Sequence, residues 1–220
     1  MAGRSRAPAR GRAEKKAETR RRLVEAAAAV FARRGFHGAS VDAIAAEAGV
    51  TTGALYWHFA GKEELFLAVA DERVAQRVRQ IEAINGRGAQ PADLAQDIER
   101  QFDAFVEREP EWPLLYYEFW AYGERDAGLR EAFAQRRRTV QDAIAEGLRR
   151  RAAAYGVELP IPAEQIAIGL NGLMNGLAFE RVADPQAVPA GAAGRLITGY
   201  LTGVLAGARP ASDAPKEVPS

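Results

Sequence analysis

Two helical segments of about eight residues each, 41–48 and 52–59, lie on either side of Gly49. Helix nucleation is costly, and segments this short carry too little apolar surface to stand alone. A third wall must complete their core. The preceding segment, about 15–34, supplies it: Leu23, Ala27, Val30 and Phe31 recur at helical spacing. On the second helix Val41, Ile44, Ala45 and Ala48 share a face, and the small alanines permit a close crossing. Ser40 is the expected N-cap there, with Asp42 in the first turn at the positive end of the helix dipole. Thr51 is the expected cap of the third helix. Helix, short turn, helix on a third support is a helix-turn-helix pattern.

The stretch "TTGALYWHFAGK", residues 51–62, packs Tyr56, Trp57, His58 and Phe59 side by side. One face of a helix buries only about half of four consecutive residues. Leu55 and Phe59 lie one turn apart and are expected to pack on Phe31, Phe36 and Ile44. Helical rotation then turns Thr52, Gly53, Tyr56 and Trp57 outward. That is the side a recognition helix presents to a DNA major groove. Thr52 donates, accepts and offers a methyl group, while Gly53 allows close backbone approach. Tyr56, Trp57 and His58 carry donors suited to phosphate oxygens, and Lys62 adds a cation at the start of the next helix. Two rival readings stay open: Tyr56 and Trp57 in a larger core against the next domain, and His58 as a packed, hydrogen-bonded histidine.

Charge is divided unevenly. Residues 1–62 hold 12 Lys/Arg against 5 Asp/Glu, whereas the remaining 158 hold 18 against 24. A basic third on an acidic remainder points to a polyanion-binding module attached to a domain with another task. Arg4, Arg6, Arg10, Arg12, Lys15, Lys16 and Arg20 to Arg22 form a basic arm. Arginines at 20–22 near a helix start oppose the dipole unless phosphates lie close, or unless the helix begins earlier.

The run "ETRRRLVEAAAAVFARRGFHGASVDAIAAEAGVTTGALYWHFAGKEELFLAV" closely resembles the DNA-binding domain of TetR-type transcriptional repressors. The resemblance covers roughly residues 17–70, and "GFHGASVDAIAAEAGV" and "GALYWHFAGKEELF" are its most specific pieces. It implies an all-α fold, with an N-terminal three-helix DNA-reading domain joined by a fourth helix to a larger helical regulatory domain. It also implies DNA contacts at Ser40, Thr51, Thr52, Gly53, Tyr56, Trp57, His58 and Lys62. The implied partners are a double-stranded DNA operator, a small-molecule effector and a second copy of the chain.

From Pro91 the helices lengthen: about 91–108, the aromatic segment "LLYYEFWAY", 127–154, 162–182 and 189–207. "EWPLLYYEFWAYGE" is the expected pocket wall, with Trp112, Tyr116, Phe119 and Trp120, completed by Phe133, Asn171, Met174 and Phe179. Concentrated aromatic area with few polar groups suits an apolar or aromatic small molecule, and it suits an ordinary core equally well. Gly169, Gly172 and Gly176, with Gly199 and Gly203, make small-residue stripes on the last two helices. Glycine in a helix interior loses roughly 1 kcal/mol against alanine. Close approach to a partner helix offsets that loss, in a dimer or within the chain.

The expected organisation is a disordered basic arm 1–16, a helix-turn-helix domain 17–62, and a regulatory and dimerisation domain 63–207, its connecting helix at 63–85. A disordered tail over 208–220 completes it. There are no cysteines and only two histidines, His37 and His58, and no apolar run reaches the roughly 18–20 residues of a membrane span. No nucleophile–base set, metal cluster or phosphate loop stands out. The function expected is a ligand-responsive transcriptional regulator, cytoplasmic, with no cofactor, metal or membrane partner. A helical dimeric scaffold with a nonspecific nucleic-acid-binding arm is the alternative, and a small helical enzyme fits least.

Overall fold

Leu23, Ala27, Val30 and Phe31 form the buried face of α1 (Pro8–Gly38). The computed structural model describes residues 8–86 and 91–210. Arg4, Arg6, the side chain of Arg10 and residues 211–220 of the expected tail lie outside them. The first helix starts at Pro8, well before the expected start near 15, so Arg20 to Arg22 sit in a helix interior and the dipole penalty does not arise. Gly35 breaks α1 with a φ of 68°, close to where sequence punctuation ends it.

The short helices are α2 (Val41–Glu47) and α3 (Thr52–Tyr56). Gly49 adopts a φ of 65° between them, and Val50 N donates to Ala45 O at 3.0 Å to close the turn. Then come α4 (Lys62–Gly86), α5 (Pro91–Arg108), α6 (Glu111–Gly123) and α7 (Ala127–Tyr155). Asp126 caps α7 by accepting from Leu129 N at 2.8 Å. The chain closes with α8 (Ala163–Ala183) and α9 (Ala192–Leu205). One small departure from helix is a two-residue antiparallel pair, β1 (Val157–Glu158) with β2 (Arg209–Pro210). It draws the first residues of the expected tail back onto the loop after α7.

Two cores hold the helices together. The first joins α1 to α4 and also takes in Leu115, Phe119 and Phe133 from α6 and α7. The second lies among α5, α7, α8 and α9 around Ile166, Leu170, Met174, Leu177 and Ile197. Helix α4 packs on α1 at one end and along α7 beyond it, while α8 packs on α7 and α9. No described helix is long and apolar enough to cross a membrane.

Candidate nucleic-acid interface and helical cavity

The turn between α2 and α3 is fixed by side chains before any ligand arrives. Ser40 Oγ accepts from Ala43 N at 3.2 Å, and Thr51 Oγ1 accepts from Ala54 N at 3.1 Å. Each hydroxyl keeps its own hydrogen, free to donate to a phosphate. Thr52 Oγ1 donates to Asp42 Oδ1 at 2.8 Å, which ties the start of α3 to the start of α2. Asp42 therefore does more than complement a helix dipole. Arg22 reaches across from α1 to cap the end of α2 at Ala48 O.

Leu55 and Phe59 are fully buried, as their spacing requires, while Tyr56 is 55% exposed and Trp57 63%. The open reading that buries these two aromatics against the next domain does not hold in this chain. Lys16 of α1 lies 4.5 Å above the Trp57 ring, and Arg20 lies 4.9 Å from the Phe59 ring. The first helix thus brings two cations beside the aromatic end of α3. Arg21 is turned to Glu18 and Glu25 instead. His58 stacks edge-on against Trp57, and its Nδ1 is buried without a hydrogen-bond partner. Burial, then the nearby Lys16 and Arg20 charges, lower its pKa from the ordinary histidine value. Lys62 has a different geometry from its neighbours. Its Nζ donates to Ala39 O at 3.1 Å and sits 4.5 Å over the Phe36 ring, so it also secures the junction between α1 and α2.

Helix α6 divides its aromatic residues between two jobs. Trp112 and Tyr116, with Phe133, Asn171 and Met174, line a cavity of about 140 Å³ among α4 to α8. Burial pushes the Tyr116 hydroxyl up to about 12. Phe119 faces the other way: it stacks on Phe66 at 3.8 Å and meets Phe36 edge-on at 4.9 Å. Trp120 is 41% exposed, and Phe179 packs edge-on against Tyr117 outside the cavity. Those three of the eight expected wall residues are therefore not in the wall: α6 turns Phe119 and Trp120 away from the space, and α8 turns Asn171, Met174 and Ala178 to it instead of Phe179. Sequence reasoning also missed the arginines of the lining, Arg73, Arg77, Arg108, Arg136 and Arg137. Arg73, Arg77 and Gln80 follow one another at helical spacing, a pattern that reads as a solvated face.

Between Trp112 and Tyr122 the same helix grips the N-terminal part. Glu118 accepts from Phe36 N and His37 N, each at 2.9 Å, at the bend made by Gly35. A Cβ at position 35 would fall 2.9 Å from Glu118 Oε2, so the bend needs glycine for space as well as for its positive φ. Tyr122 donates to Glu63 at 2.7 Å on the first turn of α4.

The glycine stripes separate into two kinds. A Cβ on Gly169 would fall 2.1 Å from the Tyr200 hydroxyl, so this glycine serves packing of α9 on α8 within the chain. Tyr200 uses the room to donate to Ile166 O at 3.2 Å. A Cβ on Gly172, Gly176, Gly199 or Gly203 would meet nothing within 4 Å beyond its own helix backbone. Beside them Ile168 and Leu196 are 53% and 51% exposed, an apolar outer face on both helices.

Residues 23–69 match the family model described as bacterial regulatory proteins, tetR family, and residues 91–206 match BetI-type transcriptional repressor, C-terminal. The regulator BetI of Vibrio parahaemolyticus is 30% identical over 185 residues, covering 81% of this chain and 88% of that protein. The repressor AcnR of Corynebacterium diphtheriae is 29% identical over 157 residues, covering 71% and 77%. SrpR and TtgW of Pseudomonas putida are each 49% identical over 65 residues, and the chain spans only 30% and 48% of their lengths. In fold, the chain is similar to FadR of Bacillus subtilis, solved in complex with stearoyl-CoA. The TM-score is 0.67 at 18% identity, covering 84% of this chain and 97% of that one.

Proposed function

The chain belongs to the tetR family of bacterial regulatory proteins, and on that premise we propose that it is a homodimeric repressor released from its operator by a small molecule held in the helical cavity. Membership makes it a DNA-binding transcriptional regulator and not an enzyme. The observation that carries the operator reading is the two-faced α3. Leu55 and Phe59 anchor it, while Tyr56 and Trp57 stand exposed beside Lys16 and Arg20. Ser40, Thr51, Thr52, Gly53 and His58 complete that surface, with Lys62 supporting it from behind. Two such helices in a dimer would enter successive major grooves roughly 34–36 Å apart on a pseudo-palindromic site. The dimer reading rests on the open face of α8 and α9, where Gly172, Gly176, Gly199 and Gly203 admit a close helix beside Ile168 and Leu196.

Release needs a ligand that prefers one arrangement of the helices over the other. Helix α6 is the coupling element. Tyr116 touches the cavity, and within one turn of it Glu118 and Phe119 hold α1 and α4. A shift of α6 therefore changes the seat of both, and with it the separation of the paired α3 helices.

The test is fluorescence anisotropy with DNA from upstream of the protein's own gene. Binding should fall steeply with salt, because phosphate contacts release counterions. The double variant Tyr56→Ala, Trp57→Ala should lose about 10–100-fold in affinity, as expected for removing a few contacts of 1–3 kcal/mol. Unchanged affinity in that variant would sink the assignment of this face.

A further inference from the structure

We propose that the cavity takes a compact apolar carboxylate, its anionic group seated on Arg77; this rests on the reading of the cavity as an effector site. The lining holds five arginines and one carboxylate, Glu109. Glu109 is already spent on Arg73, and Arg136 pairs with Asp71 at 2.8 Å. Arg108 and Arg137 are exposed at the edge of the space, and Arg108 donates to Ala104 O. Arg77 is half-buried like Arg73 and Arg136, but among the described residues no carboxylate pairs with it. Burial pushes its pKa below the ordinary arginine value, the direction expected for a guanidinium partly withdrawn from water.

A half-buried guanidinium without a carboxylate partner is poorly compensated in the empty protein and favoured once an anion arrives. Its planar fork matches a carboxylate through two parallel hydrogen bonds. The rest of the lining suits the body of such a ligand: Phe102, Phe105, Phe133, Val140 and Met174 supply apolar surface. At about 140 Å³ the space is close to the cavity size known to hold one benzene ring. Arg77 and Met174 also line a second compartment of about 70 Å³, walled by Ile81, Ile144, Leu170 and Leu201. A short chain extended past Arg77 would reach this second space.

Calorimetric titration of the full chain at neutral pH tests this with matched pairs: phenylacetate against phenylacetamide, and octanoate against 1-octanol. Each acid should bind about tenfold or more tightly than its neutral partner, as expected for a charged pair in a desolvated site. Arg77→Met should bring that preference to about twofold or less, and Arg77→Lys should retain part of it because the charge remains. Arg77→Met should also raise the Tm of the ligand-free protein by a few degrees, since it removes the unpaired charge. Equal binding of acids and neutral partners by the wild type, or no saturable binding by either acid, overturns the proposal without needing any variant. Operator binding by the wild type without probe is measured separately. Its loss would count against the repressor reading, whereas acid selectivity reports only on the cavity.

Discussion

The two cores of this molecule are built to different tolerances. In the core around Phe36, rings from α1, α4 and α6 fill the space: Phe31, Phe36, Phe66 and Phe119 are all fully buried, with centroids 3.8–5.8 Å apart. The core around Met174 is mostly aliphatic and borders two cavities. Buried polar atoms divide the same way. Among the described residues, Asn85, Gln101, Asp103 and Arg136 each leave one without a hydrogen bond in the regulatory half, though Asp103 lies 3.6 Å from Arg181, and His58 leaves one in the reading half. A DNA-reading surface has to keep residues within a fraction of an ångström, so its support is packed to a single arrangement. A site that accepts a ligand has to leave space and unmet hydrogen-bonding capacity until the ligand comes.

The largest effect is expected in the aromatic core. Phe66→Ala should destabilise the protein by about 3–5 kcal/mol, because neighbouring rings cannot collapse into the void. Chemical denaturation measures it, and operator binding should disappear with it. A loss under about 1 kcal/mol would show that this core is as loosely packed as the other.

A matched pair of added methyl groups draws the contrast more finely. Ala27 is fully buried in the first core, and Ala178 is buried at the edge of the larger cavity. Ala27→Val should be unfavourable by about 1–3 kcal/mol through overpacking. Ala178→Val should be neutral or stabilise by about 0.5–1 kcal/mol by filling space, and it should weaken ligand binding. The same sign for both in thermal denaturation would break the distinction between the cores.

Much of the reading half was legible because its chemistry is local. The spacing of Leu55 and Phe59, the caps Ser40 and Thr51, and Gly49 each act within a few residues, and each stands where its pattern requires. What escaped depended on residues distant in sequence. The expected boundary at 62 falls inside a single core, since Phe119 stacks on Phe66 and Glu118 holds the backbone at 36 and 37. No periodicity in α6 announces which aromatic residue faces a cavity and which a neighbouring helix. Gly169 and Gly172 read alike in sequence, yet only Tyr200 across the helix pair makes the first an intrachain contact. The inner charge of the cavity was hidden for the same reason: Arg77 looks like any solvated helical arginine until its surroundings are known.

The smallest expected effect concerns His58, the one unmet group among the described residues of the reading half. His58 has its pKa lowered by burial and by Lys16 and Arg20, so the folded protein holds it neutral more readily than the unfolded chain does. The sign follows from proton counts. Below the ordinary value of about 6.5 the unfolded chain binds more protons, so this contribution to stability is present above that pH and is lost as pH falls. DNA acts in the opposite sense. Phosphates near Lys16 and Arg20 offset the charges that repel a proton, so the complex takes up protons that the free protein does not. Operator affinity should therefore rise, by about threefold, between about pH 7.5 and pH 5.5 at constant ionic strength. His58→Gln should flatten that slope while leaving the salt dependence in place. An equal slope in wild type and variant would mean that Nδ1 faces protein in the complex as it does in the free chain, and that His58 is part of the packed core rather than of the surface that meets DNA.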